Sequence, residues 1–226
     1  MLHKLKNQTP VLILCGGKGT RLGKLGKKSP KTLLLLNKKP ILEYIIENLI
    51  KNNFHEIHIS GYYKISKIHN YIKKFKNKNL KCHNDGNISI LQRIRKNLIK
   101  TRSDLLVCYG DEIANINYKK MIKKHYLSKK LVTMTTLKIK SNFGFLERKK
   151  NKYKFIEKPE LGNCNIGFML FSYRNEKLIG NYKSLPNYIN KICNNNSLNQ
   201  YLHKGKHITI NNIEDLIKAK REINKI

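Results

Sequence analysis

Acidic residues are scarce in this chain: 14 Asp and Glu stand against 47 Lys and Arg, a formal charge of +33 over 226 residues. Such an excess points first at nucleic acid. The lysines, however, are spread along the whole chain beside abundant asparagine and isoleucine. The two local concentrations, Lys73 to Lys78 and Lys149 to Lys154, come with no recognition helix, zinc finger or ribonucleoprotein aromatic motif. The charge therefore reads as solvated faces and attraction for anionic substrates, with no specific nucleic-acid partner. Long apolar runs are also missing. None approaches the roughly 18 residues of a membrane span, and the chain does not open with the charged, apolar, small-residue order of a signal peptide. No membrane insertion and a cytoplasmic location are expected. The five cysteines, Cys15, Cys82, Cys108, Cys164 and Cys193, form no C-x-x-C pair and no His/Cys cluster at zinc spacing, which excludes a disulfide framework or a zinc finger and leaves reduced core thiols. The eight histidines show no i, i+4 pairing in a metal-binding context and are assigned surface roles. Length suits one compact domain over 1–226 and is compatible with a homo-oligomer.

What is present is concentrated early. The apolar run Val11 to Leu14 leads straight into Cys15-Gly16-Gly17-Lys18-Gly19-Thr20-Arg21-Leu22, a buried strand stopping at a glycine-rich loop. Glycines let backbone N–H groups close around an anion, and Lys18, Arg21 and Lys31 supply mobile positive charge nearby. Two familiar phosphate loops do not fit. The Walker pattern needs Ser or Thr after Gly-Lys, but Gly23-Lys24 is followed by Leu25 and Gly26-Lys27 by Lys28. The dinucleotide fingerprint needs a small residue where Leu22 stands.

The rest alternates strand and helix. Pro40 opens an amphipathic helix with Ile41, Leu42, Ile45, Ile46, Leu49 and Ile50 on one face. Glu56 to Ser60 reads as a strand, Ile65 to Phe75 as a helix, Leu80 to His83 as a strand, Asn84-Asp85-Gly86 as a turn and Ile88 to Ile99 as a helix. The strand Leu105 to Cys108 ends in Tyr109-Gly110-Asp111, which sets a carboxylate at the carboxyl edge of a parallel sheet, where ligands gather and where Mg²⁺ could be held against triphosphate oxygens. Later elements are a strand within Lys130 to Thr135, a strand Met169 to Phe171, a helix Leu185 to Cys193, a strand His207 to Ile210 and a helix Ile213 to Ile223. There is no Ser-His-Asp or Cys-His arrangement.

Gly-Gly-x-Gly-Thr-Arg-Leu, followed by Pro30-Lys31 and Lys39-Pro40-Ile41-Leu42, resembles the signature of the sugar-phosphate nucleotidyltransferases. The resemblance implies a Rossmann-like α/β fold of GT-A-like type, a mostly parallel sheet with flanking helices. It also implies that Leu14, Gly16, Gly17, Gly19, Thr20, Arg21, Lys31, Tyr109 and Gly110 bind nucleotide, with Arg21 and Lys31 on the phosphates. Tyr109-Gly110-Asp111, the Leu131-x-Thr133-x-Thr135 strand and Phe143-Gly144 look like the corresponding stretch of glucose-1-phosphate cytidylyltransferases, as do Gly61-Tyr62 with Lys64 and Leu91-Gln92-Arg93-Ile94. Glu157-Lys158-Pro159 follows the family's Glu-Lys-Pro motif and implies an acceptor-binding role for Glu157 and a catalytic one for Lys158. Asn165-Ile166-Gly167 is similar to its Asn-Gly-Gly, which implies Asn165 and Gly167 on the sugar, a buried turn asparagine being the structural alternative.

Three departures stand out. Asn87-Ile88-Ser89 replaces Thr-Gly-Gly, Ile166 replaces a glycine and is expected to add bulk at the substrate, and Asn211 replaces a metal-binding aspartate that would share Mg²⁺ with Asp111. The expected reaction is transfer of CMP from CTP to a sugar 1-phosphate or similar phosphorylated small molecule, releasing pyrophosphate. A nucleotide-binding regulatory protein of the same descent and a basic nucleic-acid-binding domain are the alternatives. For Asn211 the structural alternative is a cap on the last helix.

Overall fold

A computed structural model of the chain describes residues 9–226. The opening eight residues, on which the signal-peptide expectation partly rests, lie outside the described residues. β1 (Val11–Leu14) is followed by a short helix, Gly23–Lys28, and by the two-residue strands β2 (Leu35–Leu36) and β3 (Lys39–Pro40). Helix Ile41–Lys51 leads to β4 (Ile57–Gly61), helix Ile65–Ile72 to β5 (Leu80–Asn84), and helix Ile90–Thr101 to β6 (Leu105–Tyr109). Then come β7 (Glu112–Ala114), helix Tyr118–Ser128, β8 (Val132–Lys140), β9 (Phe145–Lys149), β10 (Lys152–Ile156) and β11 (Glu160–Phe171). Helices Glu176–Ile179 and Leu185–Asn194, β12 (Leu198–Leu202), β13 (His207–Thr209) and helix Ile213–Glu222 complete the order.

Seven strands form one sheet in the order β12-β8-β11-β6-β1-β4-β5. Only β11 runs against its neighbours, pairing antiparallel with β6 and β8, while β1 lies parallel to both β4 and β6. Apolar side chains alternate between two cores, one on each face. Val11 and Ile13 of β1 join Leu106 and Cys108 of β6 on one side, and Leu12 joins Leu105 and Val107 on the other. A strand buried on both faces must be apolar throughout, which is why VLIL and LLVC appear as unbroken runs. Helices Ile41–Lys51, Ile65–Ile72, Tyr118–Ser128 and Ile213–Glu222 cover the first face, and Ile90–Thr101 and Leu185–Asn194 the second. The result is a mixed, mostly parallel α/β sheet with flanking helices.

Several local expectations are corrected. The helix from Ile65 ends at Ile72 and passes into a 3-10 turn over Lys73–Phe75. Ile88 is not helical: Ser89 is the N-cap, its side chain accepting from the Gln92 N–H while the Gln92 side chain accepts from the Ser89 N–H, a full capping box. Ile166 is fully buried in the core, so its bulk lies away from the cleft. His58, His125 and His203 are buried rather than at the surface. Cys193 is exposed, and Cys82 and Cys164 are only partly covered.

Candidate active site

Strand order reverses around β1, whose neighbours β4 and β6 lie on opposite sides, and it is beyond the carboxyl ends of such strands that open α/β sheets bind ligands. The loops leaving β1 and β6 meet there. Gly110 N–H donates to the Leu14 carbonyl at 3.0 Å. A side chain at Gly110 would collide with that carbonyl, with Thr32 and with Cys15, so only glycine lets the two loops close to this distance. Gly19 takes a positive φ of 64°, and Gly26 presses so tightly on the Gly19 carbonyl that a Cβ there would sit 2.2 Å from the oxygen. The short helix Gly23–Lys28 thus packs through a glycine against the loop it follows.

A cleft of about 470 Å³ opens at this point, lined by Leu14, Gly16, Gly17 and Arg21 from the first loop, Asn87, Ile88, Ile90 and Arg93 from the β5 side, Tyr109, Asp111 and Glu112 from the β6 side, and Asn211. Arg21 is exposed in a 3-10 turn, Thr20–Leu22. Lys31, just after Pro30, extends its Nζ to Asp111 Oδ2 at 2.5 Å. Asn211 arrives from the far end of the chain because β13 pairs with β7 and the Ile210 N–H donates to the Asp111 carbonyl at 3.2 Å. Its side chain does not cap the final helix. Asn212 does that, accepting from the Asp215 N–H at 2.8 Å, while the Asp215 carboxylate accepts from the Asn211 N–H at 2.7 Å.

Gly167, with φ 77°, sits where a Cβ would meet Glu112 and Tyr109, so β11 reaches the edge of the cleft through a glycine at its bulge. Asn165 accepts from the Gly167 N–H at 3.0 Å but is exposed, standing in β11 at the start of its bulge rather than in a buried turn. Glu157 and Lys158 are exposed on the connection between β10 and β11 and do not line the cleft. Burial holds the Tyr109 phenol up at about 12, so it is neutral at physiological pH. Burial likewise raises the Glu112 carboxyl above its ordinary value, opposed by hydrogen bonds from His207 and Thr209.

The sequence assigned no site role to Glu112 or to Arg93, which entered only as part of the Leu91-Gln92-Arg93-Ile94 resemblance. Arg93 is 4% exposed. It donates to the Gly86 carbonyl at 2.6 Å and to Ser60 at 3.2 Å, and it packs beneath Gly16. Asp85 completes this buried group by pairing with Lys96 at 2.6 Å and accepting from Ser60. Together they tie the Asp85–Asn87 loop to the glycine loop. The available signal was the pair Arg93 and Asn97, four residues apart and both buried on the otherwise apolar inner face of their helix.

A glycine loop, Arg21, Lys31 and the Asp111 carboxylate thus meet at the switch point of an α/β sheet. Residues 10–222 match the family model described as "Nucleotidyl transferase". A Bacillus subtilis (strain 168) relative named "Probable glucose-1-phosphate cytidylyltransferase" is 26% identical, over 95% of this chain and 94% of its own length. The "D-glycero-alpha-D-manno-heptose 1-phosphate guanylyltransferase" of Campylobacter jejuni is 44% identical over 62 residues, 27% of this chain and 28% of that one. Among solved structures, HddC from Yersinia pseudotuberculosis complexed with GMP-PN shares the fold with a TM-score of 0.72 at 22% identity, over 95% of this chain and 99% of that one. The chain belongs to the nucleotidyl transferase family.

Proposed function

We propose that this protein transfers CMP from CTP to a sugar 1-phosphate or a similar phosphorylated small molecule and releases pyrophosphate. The observation that carries the reading is that Gly16, Gly17, Arg21, Asp111 and Asn211 line one cleft at the switch point, with Lys31 bonded to Asp111. The choice of CTP rests on the name of the Bacillus subtilis relative and on the Tyr109 to Phe143 resemblance.

An acceptor phosphate oxygen attacks the α-phosphorus, a P–O bond forms there, and the bond to the departing pyrophosphate breaks in line. Phosphates are already ionised at neutral pH, so neither a protein nucleophile nor a general base is needed. Alignment and charge neutralisation carry the rate. In this reading the loop N–H groups and Arg21 hold the triphosphate, and Lys31 offers its remaining ammonium hydrogens to phosphate oxygens. Asn165 and Gly167 face the acceptor, and exposed Glu157 and Lys158 meet it as it arrives from solvent.

Mg²⁺ fits the donors present. Asp111 offers a carboxylate, and the Asn211 amide oxygen accepts no hydrogen bond among the described residues while its nitrogen donates to Thr209 at 3.1 Å. These are hard oxygens, two in number, and no group of three or more His, Cys, Asp or Glu is placed to hold a metal among the described residues. Triphosphate must therefore complete the coordination, and the bound ion would neutralise the triphosphate charge. Pyrophosphate release, screened for four nucleoside triphosphates against a panel of sugar and non-sugar phosphates, tests the reading. Turnover highest with CTP supports it. Preference for UTP, GTP or dTTP removes the cytidylyl assignment, and no release with any pair removes the enzymatic one.

A further inference from the structure

Asn211 is one end of an uninterrupted hydrogen-bond chain. Its Nδ2 donates to Thr209 Oγ1 at 3.1 Å, Thr209 Oγ1 donates to Glu112 Oε1 at 2.9 Å, and Glu112 Oε2 lies 2.6 Å from His207 Nε2. All four residues are partly buried, and Glu112 and Asn211 both line the cleft. The donors converge on Glu112, from Asn211 through Thr209 on one side and from His207 on the other. A hydroxyl that gives its hydrogen to a carboxylate becomes a stronger acceptor, and an amide whose N–H is drawn on by that hydroxyl carries more negative charge on its oxygen. Glu112 accepts from Thr209 on one carboxylate oxygen and faces His207 Nε2 with the other.

We propose that Glu112, acting through Thr209, polarises the Asn211 amide and raises the negative charge on its oxygen, making it a competent ligand for a divalent cation. The proposal rests on the reading of Asp111 and Asn211 as cation ligands given above. Partners of metal ligands of this kind typically change metal affinity by 10–100-fold when removed. Glu112 and Thr209 are positioning residues here: they act on the ion through Asn211.

Mn²⁺ serves as the probe, its free concentration followed by electron paramagnetic resonance in the presence of a non-hydrolysable CTP analogue. Thr209→Val, which keeps the shape and breaks the relay, and Glu112→Gln, which keeps the hydrogen bond and removes the charge, should each weaken Mn²⁺ binding by about tenfold or more. Adding Asn211→Asp to Glu112→Gln should restore it, since the ligand then carries its own charge. Wild-type Mn²⁺ affinity in both single variants overturns the proposal while leaving the metal site standing. A double variant as weak as Glu112→Gln overturns it too. If the wild-type protein binds no Mn²⁺ with nucleotide, the metal reading itself falls and the relay with it. Melting temperatures within a few degrees of wild type confirm that folded proteins are being compared.

Discussion

In the proposed reaction single side chains carry the chemistry, and Lys31 and Arg21 are the sharpest cases. Lys31 directs its ammonium group to Asp111, its stem being largely covered, and Arg21 is exposed, so what both substitutions remove first is charge. Lys31→Ala and Arg21→Ala should each lower turnover by roughly a hundred- to thousand-fold, the loss of about 2.7–4 kcal/mol typical of a charge-stabilising contact. Melting temperatures should change little. Near-normal rates in both folded variants would remove this loop from the site. These residues were legible because glycine spacing and a Pro-Lys pair are local signals. Glu112 was not: nothing in sequence shows that His207 and Thr209, from the other end of the chain, fold onto it. His125 was misread for the same reason. It is 3% exposed, bonded at 2.8 Å to Thr133 and near Asp104, and burial lowers its pKa to about 4. A histidine held neutral in the fold binds protons more readily when unfolded, so its stabilising effect is complete above about pH 6.5 and is lost as the pH falls towards 4. Between pH 7 and pH 5 this one group should cost about 2 kcal/mol of unfolding free energy. Burial lowers His58, His83 and His203 in the same direction, so the measurement that isolates His125 is the urea-unfolding difference between wild type and His125→Gln at the two pH values. An equal acid-induced drop in both would show that His125 contributes none of it.

At the scale of elements, what could be read depended on whether a segment's reason for its shape lay within itself. The helix Ile41–Lys51 presents five buried apolar side chains at helical spacing, and β1 and β6 are apolar on both faces, so their existence followed from pattern alone. The antiparallel hairpin of β9 and β10 gave no such sign. All of β9 is exposed, and its two-residue turn puts Lys150 at φ 52° where glycine or asparagine would have announced it. The helix Gly23–Lys28 was hidden because its two glycines speak against a helix, although Gly26 is there to let it pack on Gly19. Ser89 belongs to the Asn87-Ile88-Ser89 departure, and it is the cap that starts helix Ile90–Thr101. That helix carries Arg93, so its start positions one wall of the cleft. Ser89→Ala should cost about 1 kcal/mol of stability, while Ser89→Asp, which retains a capping oxygen, should recover most of it. If Ser89→Ala melts with wild type, the box contributes nothing.

For the molecule as a whole the governing quantity is charge. Many of the 14 acidic groups are already engaged: Glu47 with Lys39, Glu43 with Lys74, Asp85 with Lys96, Glu176 with Arg95, Glu160 with Lys138 and Asp111 with Lys31. With 47 Lys and Arg in the chain, most cations therefore have no anionic partner, and their mutual repulsion opposes the compact state. Salt acts on the two populations differently. It weakens exposed pairs, which are worth about 0–1 kcal/mol each, and it screens the more numerous repulsions, shortening their range from about 30 Å at 0.01 M to about 10 Å at 0.1 M ionic strength. Repulsion is the larger sum, so the melting temperature should rise with sodium chloride between these two concentrations. The same screening should raise the KM for nucleotide, because attraction of the triphosphate to the cleft is long-ranged, while kcat, set by contacts inside the cleft, should move less. The two trends run in opposite senses and are measured by thermal melts and by initial rates over one salt series. A melting temperature that falls with salt would mean that the ion pairs outweigh the repulsion, and a KM indifferent to salt would mean that the excess charge plays no part in gathering the substrate.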